Sequence, residues 1–405
     1  MSACVSEPVC PRFPLQWAAE SEDISAMTES LIRLQSRKNA LRESRLTETP
    51  LAPLGVDQVR LRIRCLALTT NNVTYLTFGE APIHYWSYFP TDDAPWAQMP
   101  AWGFADVIES NASGIAVGER FYGFFPVASH LDVLAERVTA RGFYDGSAHR
   151  RQLTSAYNQY TRCAQDPAYR ESLENLQALL RPLFVTSFVL ADFLEERAFF
   201  AAKRLIFSSA SSKTAFGAAY CLQHRPELEL VALTSAKNRD FVSALGCYSL
   251  VLDYADLETL GRDRSTLYVD FSGDHHLRAR VHEHLGENLV YDCLVGFAQT
   301  RQMLEQGELV GPRPSFFFAP EQIGKRTRDW GAEGFNQRFN AAQSGFMDQV
   351  SVADNPWMTV LEHQGLGAAQ SLIADLLDGH MDPRAGHIVQ MTRDMTTDDG
   401  RAVQA

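Results

Sequence analysis

Two rhythms in the 405-residue chain predict an α/β fold in which a β module precedes a doubly wound parallel sheet. Between Arg204 and Phe271, short apolar runs alternate with helix-like segments, the pattern of repeated βαβ units. Upstream, Gln58–Pro126 combines period-two alternation with glycines at short intervals, as strands and turns do.

Taken in order, residues 1–26 are polar, carry Cys4 and Cys10, and show no periodicity, so they read as a tail. Structure is expected from Leu31 onward. Gln58–Leu68 (QVRLRIRCLAL) has half-buried strand grammar over Val59–Cys65. Thr69-Thr70-Asn71-Asn72 follows, then an aromatic-rich stretch, Tyr75–Pro90, then strands and turns over Pro100–Pro126. A strand at Leu131–Val138 leads into a polar, helix-prone segment ending near Leu180. A further helix is expected from Arg181, with Pro182 in its first turn. Residues 27–180, together with 326–405, are assigned to the β domain, and 181–325 to the cofactor domain. Within the latter come strand Leu205–Phe207, helix Thr214–Gln223, strand Leu228–Leu233, helix Arg239–Leu245, and strands Ser249–Asp253 and Thr266–Phe271. Near the end, a Phe316–Phe318 strand, a cationic loop, helix Leu366–Leu377 and strand His387–Met391 are expected.

The turn at Ser208–Lys213 is the first candidate site. A strand that enters a helix through a tight turn presents free N–H groups and the positive end of the helix dipole to an anion. Ser209, Ser211, Ser212 and Thr214 add hydroxyls, Lys213 adds charge, and Ala210 keeps the turn small. The G-x-G-x-x-G fingerprint is absent, so the turn alone reads either as a cofactor site or as a Ser-capped helix start. The second strand ends in Thr234-Ser235-Ala236-Lys237-Asn238-Arg239. An acid there would hold the ribose 2′-hydroxyl of NAD, whereas Ser235, Lys237 and Arg239 suit the 2′-phosphate of NADP. Gly296 completes the candidate cofactor contacts.

Composition narrows the classes. Hydrophobic content of 45% and charge of 21% are ordinary globular values. The net charge of −12 opposes nucleic acid or an anionic membrane as main partner. The seven cysteines form no C-x-x-C, and no uncharged apolar run approaches membrane length, so a reducing, cytoplasmic setting is expected. Expected partners are a small-molecule substrate and a second copy of the chain; the 128–181 segment reads either as narrowing the substrate mouth or as a subunit contact.

The order of β module, "GFADVIESNASGIAVGERFYGFFP" and dinucleotide-type unit resembles the medium-chain dehydrogenase/reductase superfamily. "LTTNNVTYLTFGE", "RPLFVTSFVL", "SSASSKTAFG" and "LTSAKN" point to an uncharacterised bacterial branch of it. The resemblance implies a GroES-like β domain, a Rossmann domain and a substrate cleft between them. It also implies that zinc is absent, because Gly103-Phe104-Ala105 stands where zinc enzymes of the superfamily carry a His and a Glu. The other metal-competent group, Asp274-His275-His276 with His282-Glu283-His284, reads as a wet helix surface, since His282 and His284 point to different faces. No metal is expected.

Hydride chemistry without a metal needs hydrogen-bond donors at the substrate oxygen. The resemblance places Asn72 beside the nicotinamide, against the alternative that Asn71 and Asn72 simply make a turn. Tyr75 is a candidate proton or hydrogen-bond donor, with Tyr85 and Tyr88 next, against the alternative that these aromatics are cleft wall or core. Thr186 and Ser187 are candidates for the nicotinamide amide, against the alternative that they bond their own helix backbone. Lys325, Arg326 and Arg328 read either as an acidic-group site or as a surface loop. The leading function is therefore an NADPH-dependent, zinc-independent oxidoreductase acting on a carbonyl, quinone or activated C=C bond. A non-turnover NADP(H)-binding sensor and a degenerate P-loop phosphotransferase are the alternatives.

Overall fold

The structure is a computed structural model that describes residues 30–81, 83–295, 309–352, 354, 356–379 and 381–391. The first part runs β1 (Ser30–Arg37), β2 (Ala40–Pro50), β3 (Gln58–Leu68), α1 (Thr70–Thr77), β4 (Trp96–Gln98), β5 (Pro100–Ser110) and β6 (Arg120–Pro126). It continues through β7 (His130–Thr139), β8 (Gly142–Asp145) and β9 (Gln159–Arg162) into the long helix α2 (Glu174–Glu196). The second part holds β10 (Arg204–Phe207), α3 (Lys213–Leu222), β11 (Glu229–Thr234), α4 (Arg239–Ala244), β12 (Leu250–Asp253) and β13 (Thr266–Asp270). After α5 (His275–Leu285), β14 (Leu289–Leu294) and β15 (Ser315–Phe316) come α6 (Ala319–Val350), β16 (Thr359–Gln364), α7 (Gly365–Asp378) and β17 (Ala385–Gln390).

The parallel sheet has strand order β12-β11-β10-β13-β14-β15. The chain leaves β10 on one side toward β11 and later returns to its other side as β13, which creates the switch point where doubly wound sheets bind ligands. All four residues of β10 and all five of β13 are buried, as strands covered on both faces must be. The other large sheet has the order β16-β17-β3-β5-β6-β9-β8-β7, and β7 pairs back onto β3 to close it. A single edge of β3 thus serves β7 through its first half and β17 through its second. The fold is the expected pair, a GroES-like β domain and a Rossmann-type sheet.

Three local expectations change. The segment before Leu180 forms short 3-10 turns and β8–β9, and α2 begins at Glu174, so Pro182 lies inside that helix and not in its first turn. An interior proline removes one backbone bond and costs about 3 kcal/mol. Here the burial of both faces of α2 offsets that loss. The cationic stretch is the start of α6, not a loop: Lys325 pairs with Glu196 and Asp329 (2.5 and 2.7 Å), and Arg326 pairs with Asp192 (2.6 Å). These charges are spent within the protein. His282 is not on a wet surface either; it is 1% exposed, with Nε2 2.8 Å from Asp292 and Nδ1 2.7 Å from the Val310 carbonyl.

Helix α2 has the length and apolarity to cross a membrane, yet it packs against α3 and α6 on one side and β3, β5 and β17 on the other. It buries Leu179, Leu180, Phe184, Val189, Leu190 and Leu194 in the largest core. The approach of α3 depends on Gly217, where an added Cβ would lie 2.7 Å from Ser187 Oγ and 3.1 Å from Ser187 Cβ. Gly217→Val should therefore force the helices apart and lower stability by about 1–3 kcal/mol, read from urea unfolding against the parent.

Candidate active site

A cleft of about 1340 Å³ opens between the closed barrel and the carboxyl ends of the parallel strands. One wall comes from the barrel: Thr69, Thr70, Asn71, Tyr75, Trp102 and Tyr122. The facing wall is the turn after β10 with Ser209, Ser211, Ser212, Lys213 and Thr214, joined by Lys237 and Asn238 beyond β11. Arg181 to Thr186 of α2 (with Phe184 turned into the core), Phe335 and Phe339 of α6, and the 381–387 approach to β17 complete it.

The turn after β10 substitutes strain and hydroxyls for glycine. Ser209 adopts φ +44°, a left-handed conformation usually taken by glycine, and its N–H donates to the Tyr254 hydroxyl at 3.1 Å. Ala210 is fully buried and does not border the cleft; its N–H donates to the Leu233 carbonyl and its carbonyl accepts from Tyr248 (both 3.1 Å). Ser212 caps α3 by accepting the Ala215 N–H at 3.3 Å. Ser211 Oγ accepts from Asn238 Nδ2 at 3.3 Å, which ties this turn to the end of β11.

The three residues expected at the 2′-phosphate separate. Lys237 is exposed on the cleft, whereas Ser235 and Arg239 lie outside its lining. Arg239 faces Asp253 and Asp256 at 3.6 and 3.5 Å, so its charge is balanced within the protein. Thr186 borders the cleft, but Ser187 is buried and bonds backbone, donating to the Leu183 and Thr214 carbonyls (3.2 and 2.7 Å). Gly296 lies outside the described residues.

The barrel wall sorts the donor candidates. Asn72 is 3% exposed and occupied: Oδ1 accepts the Thr69 N–H at 2.7 Å in a capping box, and Nδ2 donates to the Pro100 carbonyl at 3.1 Å. Its amide positions α1. Asn71, one residue earlier, faces the cleft and reaches Tyr75 along the same helix face, donating from Nδ2 to the phenol at 2.8 Å. Trp102 Nε1 donates to the same oxygen at 3.1 Å. Burial holds the Tyr75 phenol well above its usual pKa. Tyr85 meets the Tyr157 hydroxyl at 3.2 Å, and Tyr88 donates to the Thr154 carbonyl at 3.1 Å. Phe104 and Ala105, at the position that zinc enzymes of the resembled superfamily fill with ligands, are fully buried in the cores. Among the described residues no cluster of three or more His, Cys, Asp or Glu side chains is arranged to hold a metal ion.

Trp102, Asn238 and His387 belong to the cleft and were not singled out from the sequence. Each sits in a segment recognised for another reason, and only the folding of distant strands onto one cavity marks it.

Residues 66–382 match the model of a family described as a protein of unknown function, DUF2855. The chain belongs to that family. No curated protein matches the DUF2855 chain in sequence. Solved structures match it across the fold: CurA in complex with NADPH from Vibrio vulnificus is 14% identical with a TM-score of 0.59, over 90% of this chain and 100% of that one. The Etr1p/NADP/crotonyl-CoA complex is 10% identical with a TM-score of 0.54, again over 90% and 100%. A putative NADPH:quinone reductase from Bacillus thuringiensis is 12% identical with a TM-score of 0.50, over the same shares. What these structures share with the chain is its fold.

Asn72→Ala removes the reciprocal half of the capping box and the bond to the Pro100 carbonyl, so stability should fall by about 0.5–2 kcal/mol in thermal or urea unfolding. Ligand affinity at the opposite wall should not change.

Proposed function

We propose that this DUF2855 protein binds NADP(H) in the cleft and reduces a carbonyl, quinone or activated C=C bond by hydride transfer, without zinc. The observation that carries the reading is Tyr75. Its oxygen accepts from Trp102, which can only donate, and from Asn71, so the phenol keeps its own proton available at the cleft. The cleft has the size of a dinucleotide-plus-substrate site, and its far wall suits phosphate: a Ser-capped helix start, three further hydroxyls (Ser209, Ser211 and Thr214) and Lys213. The names of the solved relatives, with NADPH in CurA and NADP with crotonyl-CoA in Etr1p, agree with that class.

The cofactor, when bound, supplies the hydride. The chain's own residues do the rest. The capped start of α3 and its hydroxyls hold the phosphates, and Lys237 meets the 2′-phosphate. Trp102, Tyr122, Phe335 and Phe339 exclude water from the substrate side. Tyr75 presents its hydroxyl to the substrate oxygen as negative charge develops there. Because burial raises its pKa, Tyr75 stays protonated and acts by hydrogen bonding. The cationic head of Arg181 is paired with Asp166 and lies over the Tyr122 ring at 5.1 Å, which keeps an uncompensated charge away from the reacting centre.

Two outcomes follow. NADPH should bind roughly ten- to a hundredfold more tightly than NADH, the usual worth of a charge-assisted contact, and Lys237→Ala should erase the difference by weakening NADPH alone. Equal affinities in a fluorescence titration of the parent would refute the preference. Tyr75→Phe should slow single-turnover NADPH oxidation by on the order of a hundredfold or more, with cofactor affinity retained. The substrate is to be sought among enones, quinones, aldehydes and acyl thioesters by NADPH absorbance; activity lost to a chelator would overturn the zinc-free reading.

A further inference from the structure

At the seam between the two sheets, the start of α3 meets the approach to β17. Lys213 donates from Nζ to the carbonyls of Pro383 and Ala385, both at 2.9 Å. An ammonium has three N–H groups, so one is left for a ligand. His387 of β17 borders the same cleft and is 9% exposed. Its Nδ1 lies 3.0 Å from His363 Nε2, while its Nε2 is buried without a hydrogen-bond partner. A buried polar atom left unpaired is costly, and here it belongs to a residue that borders the cavity.

The surrounding charges favour an anion. His387 faces His363, Lys213 and Asp375; Lys213 faces Asp382. Asp382 is committed to Arg384 at 3.0 Å. Two groups able to carry positive charge therefore share the lining, opposed by Asp375 and by an Asp382 already paired with Arg384. Ser212 and Thr214 extend the same lining with hydroxyls.

We propose that Lys213 and His387 form a phosphate subsite shared by the two domains, through which the last barrel strand grips the pyrophosphate of the dinucleotide. The inference rests on the NADP(H) reading above. It explains how a turn that carries side chains in place of glycines can hold phosphate: the grip comes from the opposite wall as well as from backbone N–H groups.

Proton coupling makes the subsite measurable. Burial draws the Lys213 amine down to about 8, and burial with the neighbouring His363 and Lys213 lowers His387. An anion between them favours both charged forms, so binding takes up protons. For Lys213 the sign is fixed: below about pH 8 the amine is already charged, and above it affinity falls because binding must recharge it. The 2′-phosphate of NADPH titrates near pH 6, so work at pH 8 with NADH alongside isolates the lysine.

The test is titration calorimetry of the full chain with NADPH and NADH at pH 8, in buffers of different ionisation enthalpy. The parent is expected to take up a fraction of a proton with either cofactor. Lys213→Met and His387→Gln should weaken both cofactors alike, by roughly ten- to a hundredfold. Lys213→Arg, always charged, should bind like the parent but lose the uptake. If the parent binds cofactor without proton uptake and the Met and Gln variants bind equally well, the subsite is refuted while the NADP(H) reading stands. A loss confined to NADPH in Lys213→Met would move the lysine to the 2′-phosphate and overturn the pyrophosphate assignment. If the parent binds neither cofactor, both readings fall.

Discussion

Helix α2 is the constraint on which the two halves of the molecule depend. Its apolar surface is too wide for one neighbour, so it is covered by α3 and α6 on one side and by β3, β5 and β17 on the other. A helix that buries side chains on both of these sides fixes the domains that cover it. The cleft is the space left where α2 turns residues 181–183, 185 and 186 away from those contacts, which is also where Pro182 interrupts its backbone bonding. The α2–α3 contact through Gly217 and the Ser187–Thr214 bond then sets the depth of the phosphate-side wall.

That wall solves a familiar problem with unfamiliar residues. Dinucleotide turns use glycine to reach left-handed conformations and to let backbone approach phosphate. Here Ser209 takes the left-handed conformation itself, held by Tyr254, and the side chains of Ser211 and Ser212 bond within the protein. The turn is therefore rigid and rich in hydroxyls, and charge at Lys213 and Lys237 stands at its margins.

The opposite wall shows how burial converts a phenol into a donor. Tyr75 sits among Tyr85, Phe124 and Trp102, with ring centroids 4.6 and 5.3 Å from Tyr85 and Phe124. Those rings remove water, which disfavours the phenolate and strengthens hydrogen bonds to the oxygen that remains. Trp102 and Asn71 come from different elements, β5 and α1, and meet only because α1 is capped and anchored through Asn72.

The sequence by itself determined the fold class and most element positions, because periodicity is a local property: β10, β11, β13, α3, α7 and β17 all fall within two residues of their expected bounds. It also marked the turn after β10 as a candidate, since a strand-to-helix junction with hydroxyls and a lysine is legible without knowing its neighbours, but left it open between a ligand site and a capped helix start. Tertiary structure decided what each side chain is free to do. Asn72 and Arg239 look alike in sequence to donors awaiting a ligand, yet one is consumed by a cap and a carbonyl, and the other by two aspartates. Lys325 and Arg326 are likewise neutralised by Glu196 and Asp192, about 130 residues away, a pairing that no local pattern announces. His387 carries the opposite lesson: an unremarkable strand residue comes to line the cleft because β17 lies against β3, beside the start of α3. Hydrogen-bond satisfaction is a property of three-dimensional neighbours, so the choice between a spent polar group and an available one belongs to the fold.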